Sequence, residues 1–175
     1  MVEPEQPNQP FGEGDTEERM DRCVLVHRCK RTGSFLLNPV STSRPSAINL
    51  WEVPPDASDN ALGRAVVDLL APCGPVGAEP AGEREEETER LWCQYGLDGP
   101  TSKFAKRVLT ASVTHRPGRK SWVVKMLRYD PRERALSGEG EPSARVRRAA
   151  GGAALGIALR AALELPRPRR SPSCT

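Results

Sequence analysis

The chain has 175 residues, which is enough for one compact domain or for a small folded unit with long tails. Leu, Ile, Val and Phe make up about 19% of the residues, just under the level at which chains with a high net charge become disordered, but the net charge is only +3, so the composition indicates a partly ordered chain. No run of 18 apolar residues and no cationic start followed by an apolar stretch is present, so we expect neither a transmembrane helix nor a signal peptide. Five cysteines in such a chain indicate reduced thiols and a location in the nucleus or cytoplasm.

Charge is sorted along the chain. Residues 1–20 carry a net charge of −5 and residues 54–100 carry −7, whereas residues 21–53 carry +3 and residues 101–175 carry +12. This asymmetry favours an acidic partner for the basic part, or a contact between the acidic and basic parts of the same chain.

Residues 1–20 are acidic and rich in proline, and we expect them to form a disordered tail. The next unit, residues 21–71, is predicted to contain strands plus a helix. Residues 23–29 and 35–37 read as two strands of a hairpin around a glycine-containing turn, and residues 47–53 could supply a third strand.

A helix of about three turns is predicted over residues 60–70, because Leu62, Val66 and Leu69 share one helical face. Ser58 is among its candidate N-caps. Residues 72–100 are predicted to be an acidic linker, and their run of glutamates reads as a solvated helix or coil.

Residues 101–134 are predicted to be a basic β-hairpin segment. Leu109, Ala111 and Val113 alternate with hydroxyl residues before the turn, and Trp122 begins a second alternating run after it. Pro117 and Gly118 suit the central positions of a type II turn.

The last segment, residues 135–175, is predicted to be a flexible link, an Ala/Leu-rich helix over residues 144–165 and a basic tail. Gly152 and Gly156 within this helix form a small-xxx-small motif. A run of eleven apolar residues is too short to span a membrane, so we expect the motif to pack on a partner helix.

Neither a metal site nor catalysis is expected. Cys23, His27 and Cys29 lie in a predicted strand, where the outer two are roughly 20 Å apart, too far to share a metal ion. The sequence contains no motif of a hydrolase, a metalloprotease or a phosphate-binding loop. The chain is therefore expected to be non-enzymatic and to need no cofactor.

Concentrated positive charge is the most distinctive candidate site. The predicted partner-binding basic cluster consists of Lys103, Lys106, Arg107, Arg116, Arg119, Lys120, Lys125 and Arg128. Trp122 is either a core residue or a platform on which unpaired bases stack. A further candidate is Ser137, because Arg132 and Arg134 precede it with the spacing favoured by basophilic kinases; phosphorylation there would add negative charge beside the cluster.

These patterns predict a small α+β fold of short β-hairpins plus one or two helices, with a disordered N-terminus, linker and C-terminal tail. The alternative is a largely disordered chain that folds on a partner. For function, the sequence favours an intracellular regulatory or protein-interaction protein whose basic C-terminal part binds an acidic protein. The alternatives are a nucleic-acid-associated nuclear protein and a peripheral protein on an anionic membrane surface.

Overall fold

The computed structural model of the protein describes residues 22–40, 50–71, 81–95, 101–138 and 143–164. Within these ranges the strands are β1 (Arg22–Cys29), β2 (Phe35–Val40), β3 (Trp51–Val53), β4 (Val108–His115), β5 (Ser121–Asp130), β6 (Ala135–Ser137) and β7 (Ala144–Arg147). The helices are α1 (Asp59–Leu69), α2 (Ala81–Gln94), α3 (Thr101–Arg107) and α4 (Gly151–Ala162), and a short 3-10 turn, Arg148–Ala150, joins β7 to α4. The predicted α+β fold class is confirmed.

The strands form one antiparallel sheet in the order β3-β2-β1-β4-β5. Two short strands pair with the outer edge of β5. Strand β7 pairs with residues 121–124 of β5, and β6 pairs with residues 128–130. Both predicted hairpins are present, as β1–β2 and β4–β5, and the apolar run before Pro54 supplies β3 as the third strand.

One face of the sheet is covered by α1 and α4. Val24, Ala111, Val113 and Val124 point from the strands into this core, together with Trp122. The helices contribute further buried side chains, Leu62, Val66 and Leu69 from α1 and Leu155 and Leu159 from α4. The predicted α1 face is therefore correct, and Ser58 caps this helix by accepting a hydrogen bond from the Ala61 amide at 3.1 Å.

Glycines bring α1 and α4 into direct main-chain contact. A Cβ on Gly63 would lie 1.8 Å from the carbonyl oxygen of Gly152, and a Cβ on Gly156 would lie 1.9 Å from that of Asp59. Because a step of four residues forward in α4 corresponds to four residues backward in α1, the two helices are antiparallel. The small-xxx-small motif thus mediates helix packing, as expected, but its partner is a helix of the same chain.

Two arginines of β1 each form a hydrogen bond with the C-terminal end of one of these helices. Arg22 donates to the carbonyl of Leu70 at the C-terminus of α1 (3.3 Å), and Arg28 donates to that of Leu163 at the C-terminus of α4 (3.0 Å). Since helix C-termini carry unsatisfied carbonyls and partial negative charge, both contacts stabilise the packing of the helices on the sheet.

Of the described elements, α2 and α3 cover one end of the opposite face of the sheet. Leu91 from α2, Tyr95 just after α2 and Phe104 from α3 pack in a second core with Cys29, Leu36, Leu50 and Val108. The amide of Leu50 also donates to the buried hydroxyl of Thr88 in α2 (3.2 Å). The segment expected as an acidic linker therefore contains a helix that contributes to the core.

The predicted helix over residues 144–165 is wrong at its N-terminal end. Residues 144–147 form β7, in which the buried Val146 pairs with Trp122 of β5. Alanine and arginine favour a helix locally, but pairing with the open edge of β5 and burial of Val146 outweigh that preference. Gly151, with φ of 76°, then allows the chain to turn into α4.

The predicted N-terminal tail, the Pro/Gly-rich part of the linker and the basic C-terminal tail lie outside the described residues. Across the described ranges, the structure has no helix with both the length and the apolar composition needed to cross a membrane.

A candidate basic interaction surface

The turn between β4 and β5 presents three exposed cations at one end of the sheet. Gly118 has φ of 73°, and the amide of Arg119 donates to the carbonyl of Arg116 (3.1 Å), which closes the turn. Arg116, Arg119 and Lys120 all lie on the solvent side. The predicted turn residues therefore fix the position of part of the basic cluster.

Strand β7 brings more positive charge to the same place. Arg145 pairs with Val123 and Arg147 with Ser121, so both arginines lie beside the first residues of β5. The amide of Arg148 donates to the carbonyl of Lys120 (2.9 Å), and its guanidinium lies 3.3 Å from Nε2 of His115. These contacts join the end of β7 to the β4–β5 turn.

Helix α1 contributes a further cation, Arg64, to the same region. A Cβ on Gly152 would lie 3.0 Å from Cγ of Arg64, so the Arg64 side chain passes next to the first turn of α4. Glycine at position 152 leaves room for this arginine.

Two depressions meet at Arg119. The first, here called the cleft, has a volume of about 1060 Å³ and lies between the β4–β5 turn, β7 and the facing ends of α1 and α4. The second, the sheet-face depression, has a volume of about 540 Å³ and lies on the part of the sheet that α2 and α3 leave open. Ser112, Thr114 and Val123 line it together with its cations.

We call the cations of both depressions the basic end. They are Arg64, Arg116, Arg119, Lys120, Lys125, Arg145, Arg147 and Arg148. Among the described residues that line the two depressions, Asp68 is the one carboxylate. Among the described residues, Arg90 forms an ion pair with Glu87 and Arg160 forms one with Asp59.

The structure divides the predicted basic cluster. Arg116, Arg119, Lys120 and Lys125 belong to the basic end. Lys103, Lys106 and Arg107 lie on α3, before the start of β4 and thus at the opposite end of that strand. Arg128 lies near the end of β5 and pairs with Ser137 of β6.

Four cations of the basic end were missed by sequence reasoning. Arg145, Arg147 and Arg148 were assigned to a helix, although the alternation of Ala144 and Val146 with arginines was a signal for a strand. Arg64 had no local signal, because its contribution depends on how α1 packs against α4.

Trp122, the aromatic residue within the predicted basic segment, is part of the core. Trp122 is only 5% exposed and packs beneath α1 and α4. Of the two roles that the sequence allowed for Trp122, the structure therefore shows the core role, and the indole face is not available to stack on bases.

His27 is buried at the other end of the sheet. Its Nδ1 lies 3.0 Å from the hydroxyl of Thr110, and its ring makes an edge contact with Phe104 at 5.1 Å. Burial lowers the pKa of His27 to about 4, so the ring is neutral at pH 7. Within the described ranges, no three His, Cys, Asp or Glu residues come together as metal ligands.

The thiols differ in their surroundings. Burial raises the pKa of Cys23, and a hydrogen bond with Thr114 partly offsets this effect. For Cys29, burial acts to raise the pKa, but hydrogen bonds from Thr32 and Arg31 and the charge of Arg31 together lower it. Cys93 is exposed.

Comparison with solved structures shows a shared fold. The chain is similar to a protein of unknown function from Neisseria meningitidis, with a TM-score of 0.54 and 13% identity over 89% of this chain and 98% of that chain. It is also similar to a chain of the CdiA-CT/CdiI toxin and immunity complex from Yersinia pseudotuberculosis, with a TM-score of 0.52 and 16% identity over 82% of this chain and 96% of that chain. No family model matches the sequence, and no curated protein matches it.

Proposed function

We propose that the protein is a non-enzymatic interaction protein that binds an acidic protein partner through the basic end. The observation that carries this proposal is the convergence of eight cations on two adjoining depressions whose described lining holds one carboxylate. Positive potential concentrated in this way accelerates the encounter with a negatively charged surface and orients it.

The shape of the surface supports a macromolecular partner. The cleft and the sheet-face depression share Arg119 and Ser121, so they form one continuous area around the start of β5. The sheet-face depression combines cations with Val123 and small hydroxyl residues, which is typical of a protein interface with mixed chemistry.

One structure of similar fold is part of a toxin and immunity complex, which gives a precedent for a fold of this kind in a complex between proteins. The acidic character of the partner comes from the charge of the basic end alone. We propose that the protein acts in the nucleus or cytoplasm, with a regulatory role in which binding, not catalysis, is the activity.

Nucleic acid is the competing ligand, since phosphates also attract such a surface. The burial of Trp122 removes the stacking contribution that would favour unpaired bases. An anionic membrane is the third candidate, because it would attract the same cations. Both candidates are therefore outcomes of the experiment below.

The experiment compares two double variants with equal changes of charge. R119E/R145E reverses two cations of the basic end, and the control K103E/K106E reverses two exposed cations on α3. Full-length wild type and both variants are used for affinity capture from cells, with and without nuclease, and the captured protein is purified and its affinity measured at increasing salt.

We expect an acidic protein that binds the wild type and K103E/K106E with similar affinity and binds R119E/R145E at least about tenfold more weakly. Capture that disappears with nuclease would identify nucleic acid as the ligand and contradict the proposal. Equal loss in both variants would show that the basic end is not the site. Flotation with anionic vesicles tests the membrane alternative in the same preparations.

A further inference from the structure

The cleft has features that a flat protein interface does not require. Its described lining includes five cations, Arg64, Arg119, Lys120, Arg147 and Arg148, one acid, Asp68, and the apolar Val67. Its volume of about 1060 Å³ is at the upper end of the range of small-molecule sites. Five cations around one cavity match a ligand with several negative charges close together.

The cations of the cleft come from three separate parts of the chain, and two of these parts are joined by a main-chain hydrogen bond. The hydrogen bond from the Arg148 amide to the Lys120 carbonyl ties the 3-10 turn to the β4–β5 turn. Because residue 152 is a glycine, the Arg64 side chain has room beside the first turn of α4. A site whose supporting main chain is fixed loses less conformational entropy when a ligand binds.

The backbone of the cleft adds donors to these side chains. Gly151 and Gly152 line the cleft at the start of α4. The Gly151 amide donates to the Arg148 carbonyl, and the N-cap residue Ala150 provides no side-chain hydrogen bond to the amides that follow. Amides in this position carry partial positive charge and bind phosphate oxygens directly. Guanidinium groups bind the same oxygens in pairs.

We propose that the cleft is a binding site for a compact oligophosphate anion, that is, a small ligand with two or more adjacent phosphate groups. This inference goes beyond the proposed function, because it holds whether or not the basic end also binds a protein. Adjacent phosphates place several charges within the span of one cavity, whereas a single sulfate or phosphate engages only some of the five cations.

The test measures binding of inorganic tripolyphosphate to the full-length protein by calorimetry, with sulfate as a second probe. The cleft variant is R64Q/R147Q, and the matched control is K125Q/R145Q, which removes two cations of the sheet-face depression only. All four residues are on the surface or partly exposed, and amide spectra of each variant report whether the fold is retained.

We expect one tripolyphosphate per chain, bound at least about tenfold more tightly than sulfate, and a loss of about tenfold or more in R64Q/R147Q but less than about threefold in K125Q/R145Q. Equal affinity of the wild type and R64Q/R147Q would overturn the proposal. So would an equal loss in the two variants, which would show attraction to general positive charge. Neither outcome depends on the acidic protein partner, which is measured separately.

Discussion

Gly156 of α4 packs directly against the main chain of Asp59 in α1, where a Cβ on residue 156 would lie 1.9 Å from the Asp59 carbonyl oxygen. One turn further along α4, Arg160 forms an ion pair with the Asp59 side chain at 2.7 Å and also donates to the carbonyl of Ala57. The same short stretch of α1 is therefore contacted by both the backbone and a charged side chain of α4. This contact holds the two helices in the arrangement that places Arg64 in the cleft.

Substitution of Gly156 by Ala should destabilise the protein. The added methyl group overlaps the Asp59 carbonyl, so the helices must separate, and we expect the free energy of unfolding to fall by about 1–3 kcal/mol although Ala favours a helix more than Gly. Chemical denaturation measures this change. Ile157→Ala is the control in the neighbouring position, because Ile157 is 57% exposed and its truncation should cost less than about 0.5 kcal/mol. A Gly156→Ala protein as stable as the wild type would contradict the close contact.

Removal of the Arg28 guanidinium should loosen the C-terminal end of α4. Arg28 donates to the carbonyl of Leu163 at 3.0 Å and lies over the ring of Phe35 at 5.9 Å. For Arg28→Ala we expect a loss of about 1–2 kcal/mol in the free energy of unfolding and faster amide hydrogen exchange in the last turn of α4. Arg31→Ala, in the exposed β1–β2 turn, serves as the control and should leave the exchange in α4 unchanged.

Stability should fall in mildly acidic solution because of His27. The pKa of His27 is about 4 in the folded protein and near its ordinary value of 6.5 in the unfolded chain. Between these two values the unfolded chain binds a proton that the folded protein does not, so the stability present above pH 6.5 is progressively lost as the pH falls towards 4.

The size of this effect follows from the difference in pKa. Between pH 7.5 and 4.5 the contribution of His27 to the free energy of unfolding should decrease by about 2–3 kcal/mol. His27→Gln cannot titrate and should lose this part of the pH dependence, whatever its absolute stability. Denaturation curves at several pH values provide the measurement, and identical pH profiles for both proteins would rule out His27 as the cause.

Phosphorylation of Ser137 should be slow in the folded protein. Sequence reasoning placed Ser137 at the start of a flexible link, but the structure places it in β6, paired with Arg128 of β5. A kinase that requires an extended substrate must first separate these strands. We expect a basophilic kinase to modify the full-length protein at least about tenfold more slowly than a peptide of residues 130–142, as measured by mass spectrometry. Equal rates would indicate that β6 opens readily.

Sequence patterns predicted those elements whose signals are local. The β4–β5 hairpin followed from alternating residues around Pro117 and Gly118, and α1 followed from the spacing of Leu62 and Val66 behind Ser58. The burial of Trp122 beside Val124 agrees with the alternation along β5. In each case the residues that determine the element lie in one short, continuous stretch of the sequence.

The parts that sequence analysis missed depend on distant partners. Residues 144–147 become a strand because β5 offers an unpaired edge about twenty residues earlier in the chain. Leu91 belongs to the core because α2 packs on Leu50 and Val108. The cleft itself requires Arg64, Arg119 and Arg147 to converge from three elements, and no window of the sequence contains all of them. Half of the basic end was consequently found only in the structure.

Strand β1 joins the two hairpins of the sheet. β1 is the first described strand, and it pairs on one side with β2, which follows at once, and on the other with β4, where Cys23 meets Thr114. The two hairpins therefore form from neighbouring residues, whereas their union must close a loop that contains α1, α2 and α3. Closing a loop twice as long costs only about 0.6 kcal/mol more. We therefore expect the connections between the helices of this segment to tolerate changes in length, and we expect the meeting of the two hairpins to limit the folding rate.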